Sequence, residues 1–374
     1  MSEIKSHRLN NFDVRIFDQP TEDIIHLLSQ TYLGTPGGLQ YQLVDTASRI
    51  KHYPEIYFIT LYRSEKLIGL LAICPRSLSI DRTSIPAYYI RYLAVASPFQ
   101  SKAEAGKRRN RRVRERFEKT VKDQIIELFT NPSLLGIPGF DPTGPSLFYA
   151  FVEPENVRSV NLVEQADYRT AGTFYTLPFS RRKPCADLRV RRSGEKDRQE
   201  ISRKLEKYWQ SSNGWISDFV QHENNYFVLE KDGELLAGVQ AHPAMYRMKN
   251  MPGLKGFLFL HVFAHLPYFR NILQKLDLRF LAFEGIFCEE GQEDKISVLL
   301  ESCCALMGYH AGLTWLDERS PLYQPLRDSQ EMGLLGKLAG KEPVSVYVNF
   351  QNMHESLKEK IKERAFYISS FDSI

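Results

Sequence analysis

One hairpin pattern is written twice in this chain. The segment YFITLYRSEKLIGLLAICP runs from Tyr57 to Pro75, and YFVLEKDGELLAGVQAHP runs from Tyr226 to Pro243. Each reads Tyr-Phe, a polar turn, Leu-x-Gly, an Ala three residues after the Gly, and a closing Pro. Tyr57 and Tyr226 stand at the same separation as Gly69 and Gly238. The flanks agree. FDVRIFDQPTED from Phe12 and ADLRVRRSGEKD from Ala186 each give a short alternating strand, polar residues, then a helical pattern. That pattern is Ile24, Ile25, Leu27, Leu28 in one half and Ile201, Leu205, Tyr208, Trp209 in the other. Downstream, FVEPENVRSVNLVEQ from Phe151 is echoed by TWLDERSPLYQPL from Thr314. Matches in the same order along both halves indicate an internal duplication.

A chain of 374 residues is long enough for two domains, and 43% hydrophobic with 25% charged residues lets each bury a core. The basic, Pro-containing connector Ser180 to Ala186 sets the boundary, giving domains 1–182 and 183–374. Each half reads as strand, helix, hairpin, strand, long helix, strand, helix, strand. That mixture predicts an α/β (α+β) class: two tandem units, each a mixed, largely antiparallel central sheet flanked by helices.

In the first half a strand AYYIRYLAV, Ala87 to Val95, is followed by ASPFQSKAEAGKRRNRRVRER and a long helical pattern. After a Pro/Gly-rich loop, Asn131 to Pro145, comes SLFYAFVEPENVRSVNLVEQADY. This arrangement resembles the GNAT family, which moves an acyl group from coenzyme A to an amine. The resemblance covers roughly residues 12–180. The family's strand end looks like Leu93 to Val95. Its phosphate loop looks like Gln100, Ser101, Lys102, Ala103, Glu104 and Ala105. Its later signature looks like Asn156, Ser159, Val160, Leu162 and Tyr168. The resemblance implies acetyl-CoA or another acyl-CoA as co-substrate, held by Leu93, Val95, Gln100, Ser101, Lys102, Ala103, Ala105, Asn156 and Ser159. It also implies a small-molecule or peptide amine as acceptor, and no metal. Two positions depart from the family: Tyr89 stands where many members carry Glu, and Val163 where many carry a Tyr general acid. An unperturbed Tyr has a pKa near 10 and is a poor base at neutral pH. The catalytic residues are therefore open, with Tyr89 and Glu153 as candidates.

Physical chemistry reads the same loop in a compatible way. Small residues running into a helix present free backbone N–H groups and the positive end of the helix dipole, a site suited to a diphosphate. Ala103 in place of a glycine restricts φ there. The run Lys107 to Arg116 holds seven bases and one acid, which a bound polyanion would offset. A solvated face explains it equally well. Nucleic acid is disfavoured as a partner, because the run has no aromatic residue on which a base can stack.

In the second half, the counterpart of that loop is CEEGQEDK, Cys288 to Lys295, with four acids in eight residues. Those charges repel a diphosphate, so the second copy is expected to be degenerate and to form an intramolecular pseudo-dimer with the first. Glu284, on the preceding strand, is a candidate to face a shared cleft. His261 and His265 lack the Glu of a zinc-peptidase motif and are expected in the core or an interface. Trp209 and Trp215 read as packing residues. Five cysteines without paired spacing read as reduced, buried thiols. The polar start MSEIKSHRLNNFDVR and the absence of an apolar span predict a cytoplasmic protein without a membrane segment. Two other functions fit the same residues. One is a non-catalytic acyl-CoA-binding or scaffold protein. The other is a Fem-type transferase using an aminoacyl-tRNA donor.

Overall fold

The computed structural model describes residues 3–9, 12–35, 37–80, 83–96, 122–266, 269–338 and 342–374. The first half opens with β1 (Glu3–Leu9) and β2 (Phe12–Phe17), then helix α1 (Glu22–Gln30). A small hairpin, β3 (Leu33–Gly34) with β4 (Gln40–Leu43), leads into α2 (Thr46–Ile50). The repeated hairpin follows as β5 (Tyr57–Arg63) and β6 (Lys66–Ile80), and β7 (Thr83–Val95) returns beside it. Helix α3, described over residues 122–130, precedes β8 (Ser146–Val152), α4 (Val157–Gln165) and β9 (Arg169–Ser180).

The second half repeats the plan. β10 (Val190–Arg192) and α5 (Arg198–Trp209) lead to the hairpin β11 (Tyr226–Lys231) and β12 (Glu234–Asn250). Helix α6 (Gly253–His261) and the short β13 (Leu273–Gln274) precede β14 (Asp277–Cys288). Then come α7 (Lys295–Met307), β15 (Ala311–Asp317), α8 (Tyr323–Asp328), α9 (Gly333–Leu338) and β16 (Pro343–Gln351). Helix α10 (Glu355–Glu363) and the one-turn α11 (Ser370–Ser373) complete the described chain.

Both hairpins close through two residues in left-handed backbone, Ser64 and Glu65 at φ 47° and 58°, and Asp232 and Gly233 at φ 53° and 83°. That is the turn whose twist matches paired strands. The repeated glycine also has a steric cause. A Cβ on Gly238 would lie 2.4 Å from the Phe287 ring, and one on Gly69 would lie 3.2 Å from the carbonyl oxygen of Ala94. In each half this glycine lets the hairpin approach the next strand closely.

All these strands join one sheet, whose main path runs β1-β2-β5-β6-β7-β8-β16-β9-β15-β14-β12-β11-β10, with β13 paired to β14 and β3–β4 off that path. The two halves meet by exchange. β16, from the second half, lies between β8 and β9, and β9, from the first half, pairs with β15. The β3–β4 hairpin crosses over too, through pairing of β4 with β12. Three apolar clusters follow from this arrangement. One sits between the first-half sheet and α3 and α4, and contains Phe129, Phe148 and Leu162. A second lies under α5 and α7. The third is shared, joining Tyr89, Tyr92 and Phe174 with Phe280, Phe371 and Ile374. The mixed, largely antiparallel sheet flanked by helices is thus present, as a single continuous surface.

Two sequence expectations are corrected. His261 and His265 are exposed near the end of α6, with the Phe257 ring 4.9 Å from His261, so neither is a core residue. Cys185 is exposed, while Cys74, Cys288, Cys303 and Cys304 are buried. No helix among the described residues is long and apolar enough to cross a membrane.

A salt-bridge network ties β10 to the start of α5. Arg191 donates to both oxygens of Asp197 at 2.6 and 3.0 Å and to Glu230 at 2.6 Å, and the Gly194 amide donates to Asp197 at 2.7 Å. These bonds, the Arg191 bond first, hold the Asp197 carboxyl at about 2 against an ordinary 3.8. A depressed folded-state value contributes stability that is present above the unfolded value and lost as pH falls through the folded one. Asp197→Asn is therefore expected to lower stability by about 1–2 kcal/mol at neutral pH, allowing for solvent around the partly exposed guanidinium. In urea titrations the difference from the parent protein should shrink as pH falls below about 4 and be lost only below about pH 2. A difference undiminished at pH 2 would contradict this assignment.

Candidate active site

The two halves share a distinctive flaw in their sheets. β7 pairs with β8 in parallel only over Ala87–Tyr89 against Leu147–Tyr149, and β14 pairs with β15 only over Leu281–Ala282 against Gly312–Leu313. Beyond those short ladders, no further pairing holds the two strands of either pair together among the described residues. On its other side, each strand carries a one-residue bulge. The register slips between Leu70↔Ala94 and Ala72↔Arg91 in β7, and between Gly238↔Phe287 and Gln240↔Glu284 in β14. At the bulges, Tyr92 and Gly285 hold nearly the same left-handed backbone, φ 55° and 54°. A bulge takes an amide out of the ladder and turns the strand, which opens a wedge beside the next strand. Glycine adopts this backbone freely, whereas a tyrosine there is strained by about 1–3 kcal/mol.

The second wedge is filled. The Gly285 amide donates to the Tyr367 hydroxyl at 3.1 Å, Tyr226 donates to the Gly285 carbonyl at 2.8 Å, and Trp209 donates to the Ile286 carbonyl at 3.0 Å. Trp209 and Trp215 stack parallel and both meet the Tyr367 ring edge-on, at 4.9 and 4.7 Å. The space left between β14 and β15 is about 10 Å³, no more than one water. In the acidic stretch beyond β14, Glu289 accepts from Lys204 at 2.5 Å.

The residues that precede the two bulges, Arg91 and Glu284, both grip the segment Ser369–Ile374. Arg91 donates to the Tyr53 hydroxyl, to the Phe371 carbonyl at 3.2 Å, and to the Ile374 carbonyl. Glu284 accepts from Ser369 at 2.7 Å and from the Phe371 amide at 3.3 Å, and lies 2.9 Å from His242 Nε2. Burial pushes the Glu284 carboxyl up, but the bonds from His242, Ser369 and Phe371 outweigh it and hold the group below its ordinary value. Asp372 pairs with Arg76 at 3.0 Å, with both side chains almost wholly buried, and accepts from Tyr53 at 3.2 Å. Burial keeps Asp372 above the ordinary carboxyl value despite the nearby Arg76 and Arg91. Tyr246 donates to the Ser373 carbonyl at 2.6 Å. A band of buried charge therefore runs between the halves, on the shared face of both bulged strands.

The candidate site residues fall into distinct places. Tyr89 is buried, stacks on Tyr149 at 5.1 Å, meets the Phe151 ring at a tilt at 5.0 Å, and is raised far above its ordinary pKa by burial. Such a group does not serve as a base. Glu153 lies just past β8, half-buried, and accepts from the Thr35 hydroxyl at 2.8 Å. Burial raises its carboxyl, and the nearby Glu342 and Glu155 add to the effect while Thr35 opposes it. Leu93 and Val95 pack against the α3–α4 cluster. Asn156 caps α4, accepting from the Ser159 amide at 3.2 Å. Gln100, Ser101, Lys102, Ala103 and Ala105, with the basic run Lys107 to Arg116, lie outside the described residues. Among the described residues no three His, Cys, Asp or Glu side chains gather as metal ligands.

Sequence reasoning missed Arg76, Arg91, Tyr92 and Asp372. A signal for Arg91 was available: a single charge inside the apolar strand AYYIRYLAV. Buried charges need partners, so such a residue marks a polar site by itself. Nothing comparable marks Tyr92, whose backbone conformation is visible only once the bulge is formed.

No family model and no curated protein matches this sequence. Among solved structures the chain is similar to Saccharomyces cerevisiae N-myristoyltransferase with bound myristoyl-CoA, at 11% identity, TM-score 0.53, covering 98% of this chain and 91% of that one. The same enzyme with bound myristoyl-CoA and inhibitors gives 11% identity, TM-score 0.53, and coverage of 96% and 86%. A GCN5-related N-acetyltransferase from Anabaena variabilis gives 11% identity, TM-score 0.43, and coverage of 90% and 72%. At these identities the likeness speaks for the fold alone, and the fold is shared with the yeast N-myristoyltransferase.

Proposed function

We propose that this chain is an acyl-CoA-dependent N-acyltransferase whose donor thioester lies in the first wedge, between β7 and β8. One observation carries the reading. In the sister wedge the bulge amide of Gly285 already holds an oxygen, the Tyr367 hydroxyl, at hydrogen-bond distance. That phenol oxygen stands in for a thioester carbonyl oxygen. With the same backbone angle at Tyr92, the first bulge offers an amide to the same kind of group.

The chemistry then follows from the neighbouring residues. An amide aimed at the carbonyl oxygen polarises the thioester, and a neutral amine attacks its carbon directly. Glu153, with a carboxyl raised by burial, takes the amine proton through water more readily than an ordinary surface carboxylate. Glu153, Glu155 and Glu342 together favour a cationic amine, on a small molecule or a peptide. Thr35 brings the loop before β4 to this end of β8, and so makes that loop part of the acceptor side. The diphosphate belongs to the segment around Gln100 to Ala105, and Asn156 and Ser159 at the head of α4 complete the donor side. Acetyl-CoA is the first donor to test, and the fold likeness adds myristoyl-CoA to the panel.

The test is titration of the protein with acetyl-, octanoyl- and myristoyl-CoA, followed by thiol release with a panel of primary amines. Saturable binding and amine-dependent release are expected for at least one donor. Absence of binding to every thioester would overturn the reading. A second reading, a non-catalytic acyl-CoA binder, is favoured by Tyr89, a buried phenol where proton-handling carboxylates are usual. Binding without release across the whole amine panel would establish it.

A further inference from the structure

We propose that helix α6 and the turns after it form a docking surface for a lipid bilayer carrying anionic headgroups. The helix is apolar on two opposite sides. Its inner side holds Gly256, Phe259 and Leu260, which are buried, with Phe259 edge-on to the Phe269 ring at 5.6 Å. Its outer side holds Leu254 and Phe257, 74% and 56% exposed, and Val262 and Leu266 follow at 44% and 46%. A helix packed on a globular core normally turns polar residues outward. Here Leu and Phe take that side, with His261 beside the Phe257 ring at 4.9 Å.

Exposed apolar side chains scattered singly need no explanation, whereas a gathered patch marks a contact surface. Five of the eleven exposed large apolar side chains among the described residues gather here: these four, and Tyr32, whose ring lies 3.8 Å from Lys249 Nζ. The β3–β4 hairpin borders the patch. β4 pairs with β12 from Leu43↔Tyr246 to Gln40↔Asn250, and Asn250 donates to the Gly38 carbonyl at 2.7 Å.

Charge decides what this surface meets. Residues 235–276 contain five Lys or Arg and no Asp or Glu, and residues 24–44, which carry Tyr32 and the hairpin, contain no acid either. Asp277, the next acid, is taken by Arg247 at 2.8 and 3.1 Å. Lys249 and Arg270 are exposed and bracket the apolar stretch. A second copy of the chain is a poor occupant, because a two-fold contact through this patch sets cation against cation with no acid between them. An anionic bilayer surface satisfies both features. The apolar side chains enter the boundary with the acyl chains, and the flanking cations meet the headgroups. With nine residues the helix lies in the plane of the interface and does not cross it. The hairpin loop also carries Thr35, which donates to Glu153, so docking turns the proposed acceptor side toward the bilayer.

The test is co-sedimentation of the full chain with sucrose-loaded vesicles, of phosphatidylcholine alone or with about a third phosphatidylserine, and without acyl-CoA. Binding to the mixed vesicles is expected, about tenfold or more above that to phosphatidylcholine alone, and falling as salt rises from about 0.1 to about 0.5 M. Leu254→Gln with Phe257→Gln should reduce partition about 100-fold and leave Tm unchanged, because both side chains already face solvent in the free protein. Lys249→Gln with Arg270→Gln should reduce it about 10- to 30-fold on the mixed vesicles and little on the neutral ones. No binding by the parent protein overturns the proposal. So does binding that survives the Leu254 and Phe257 substitutions, which would place the contact elsewhere. A concentration-dependent dimer in analytical ultracentrifugation, lost in Leu254→Gln with Phe257→Gln and seen without vesicle binding, would give the surface to a second copy instead. Since no donor is present, failure here leaves the acyltransferase reading standing, and failure of that reading leaves the docking untouched.

Discussion

Replacing Arg76 with alanine is expected to destabilise the fold by about 3–5 kcal/mol, because the change strands a buried carboxylate. Arg76 and Asp372 are 1% and 2% exposed at their side chains and meet at 3.0 Å. The second contact of Arg76, to Asp218 at 3.4 Å, reaches a partly exposed carboxylate and offers little compensation. With Arg76 gone, Asp372 keeps the Tyr53 hydroxyl and the nearby Arg91, and its carboxyl rises further above the ordinary range. A raised folded-state value means that the folded protein binds the extra proton, so the loss should be largest at neutral pH and shrink as pH falls. Urea unfolding of Arg76→Ala across that range measures both effects. The pair Arg76→Met with Asp372→Leu should recover most of the stability, since removing both charges leaves nothing unpaired. A loss below about 1 kcal/mol would mean that water reaches Asp372, and that Ser369–Ile374 does not form a sealed wall between the halves.

Tyr367→Ala should have an effect of similar size through a different cause. The substitution empties the second wedge beside Trp209 and Trp215 and leaves the Gly285 amide without its acceptor. Removing an aromatic ring from a packed core costs about 3–5 kcal/mol, and Tyr367→Phe, which loses only the hydroxyl, about 1–3 kcal/mol. The cavity permits a more specific measurement. Phenol at millimolar concentration should raise the Tm of Tyr367→Ala, and toluene should raise it less, because only phenol returns an oxygen to the amide. The parent protein should respond to neither. Equal rescue by phenol and toluene would show that the bulge amide does not select an oxygen. That result would remove the main physical support for placing a thioester carbonyl at the matching bulge in β7.

The two experiments address the same architectural fact from opposite sides. One wedge is closed by the protein's own phenol. In the other copy Arg91 and Tyr92 stand at the bulge of β7, and Arg91 and Arg76 hold the segment Ser369–Ile374. A duplicated unit with a bulge in each copy thus gains asymmetry from the residues placed at and near the bulge: Tyr in one, Gly with an incoming Tyr367 in the other. Acidic residues beyond β14, with Glu289 bound to Lys204, add to the difference by disfavouring a diphosphate there.

Much of this was legible along the chain because it depends on near neighbours. Alternating strands, two-residue turns and the glycines facing the next strand repeat in both hairpins, and each follows from sterics within a few residues. The acidic character of the second loop is read from the sequence directly. The exchange of β9 and β16 could not, since either strand's apolar face satisfies more than one partner and only the assembled sheet selects among them. Nor could the wall of Ser369–Ile374, where Arg76, Arg91, Glu284 and Asp372 come together from far-apart parts of the chain. Their partners are set by packing, and the free energy that makes a buried charge acceptable exists only after the two halves have closed on each other.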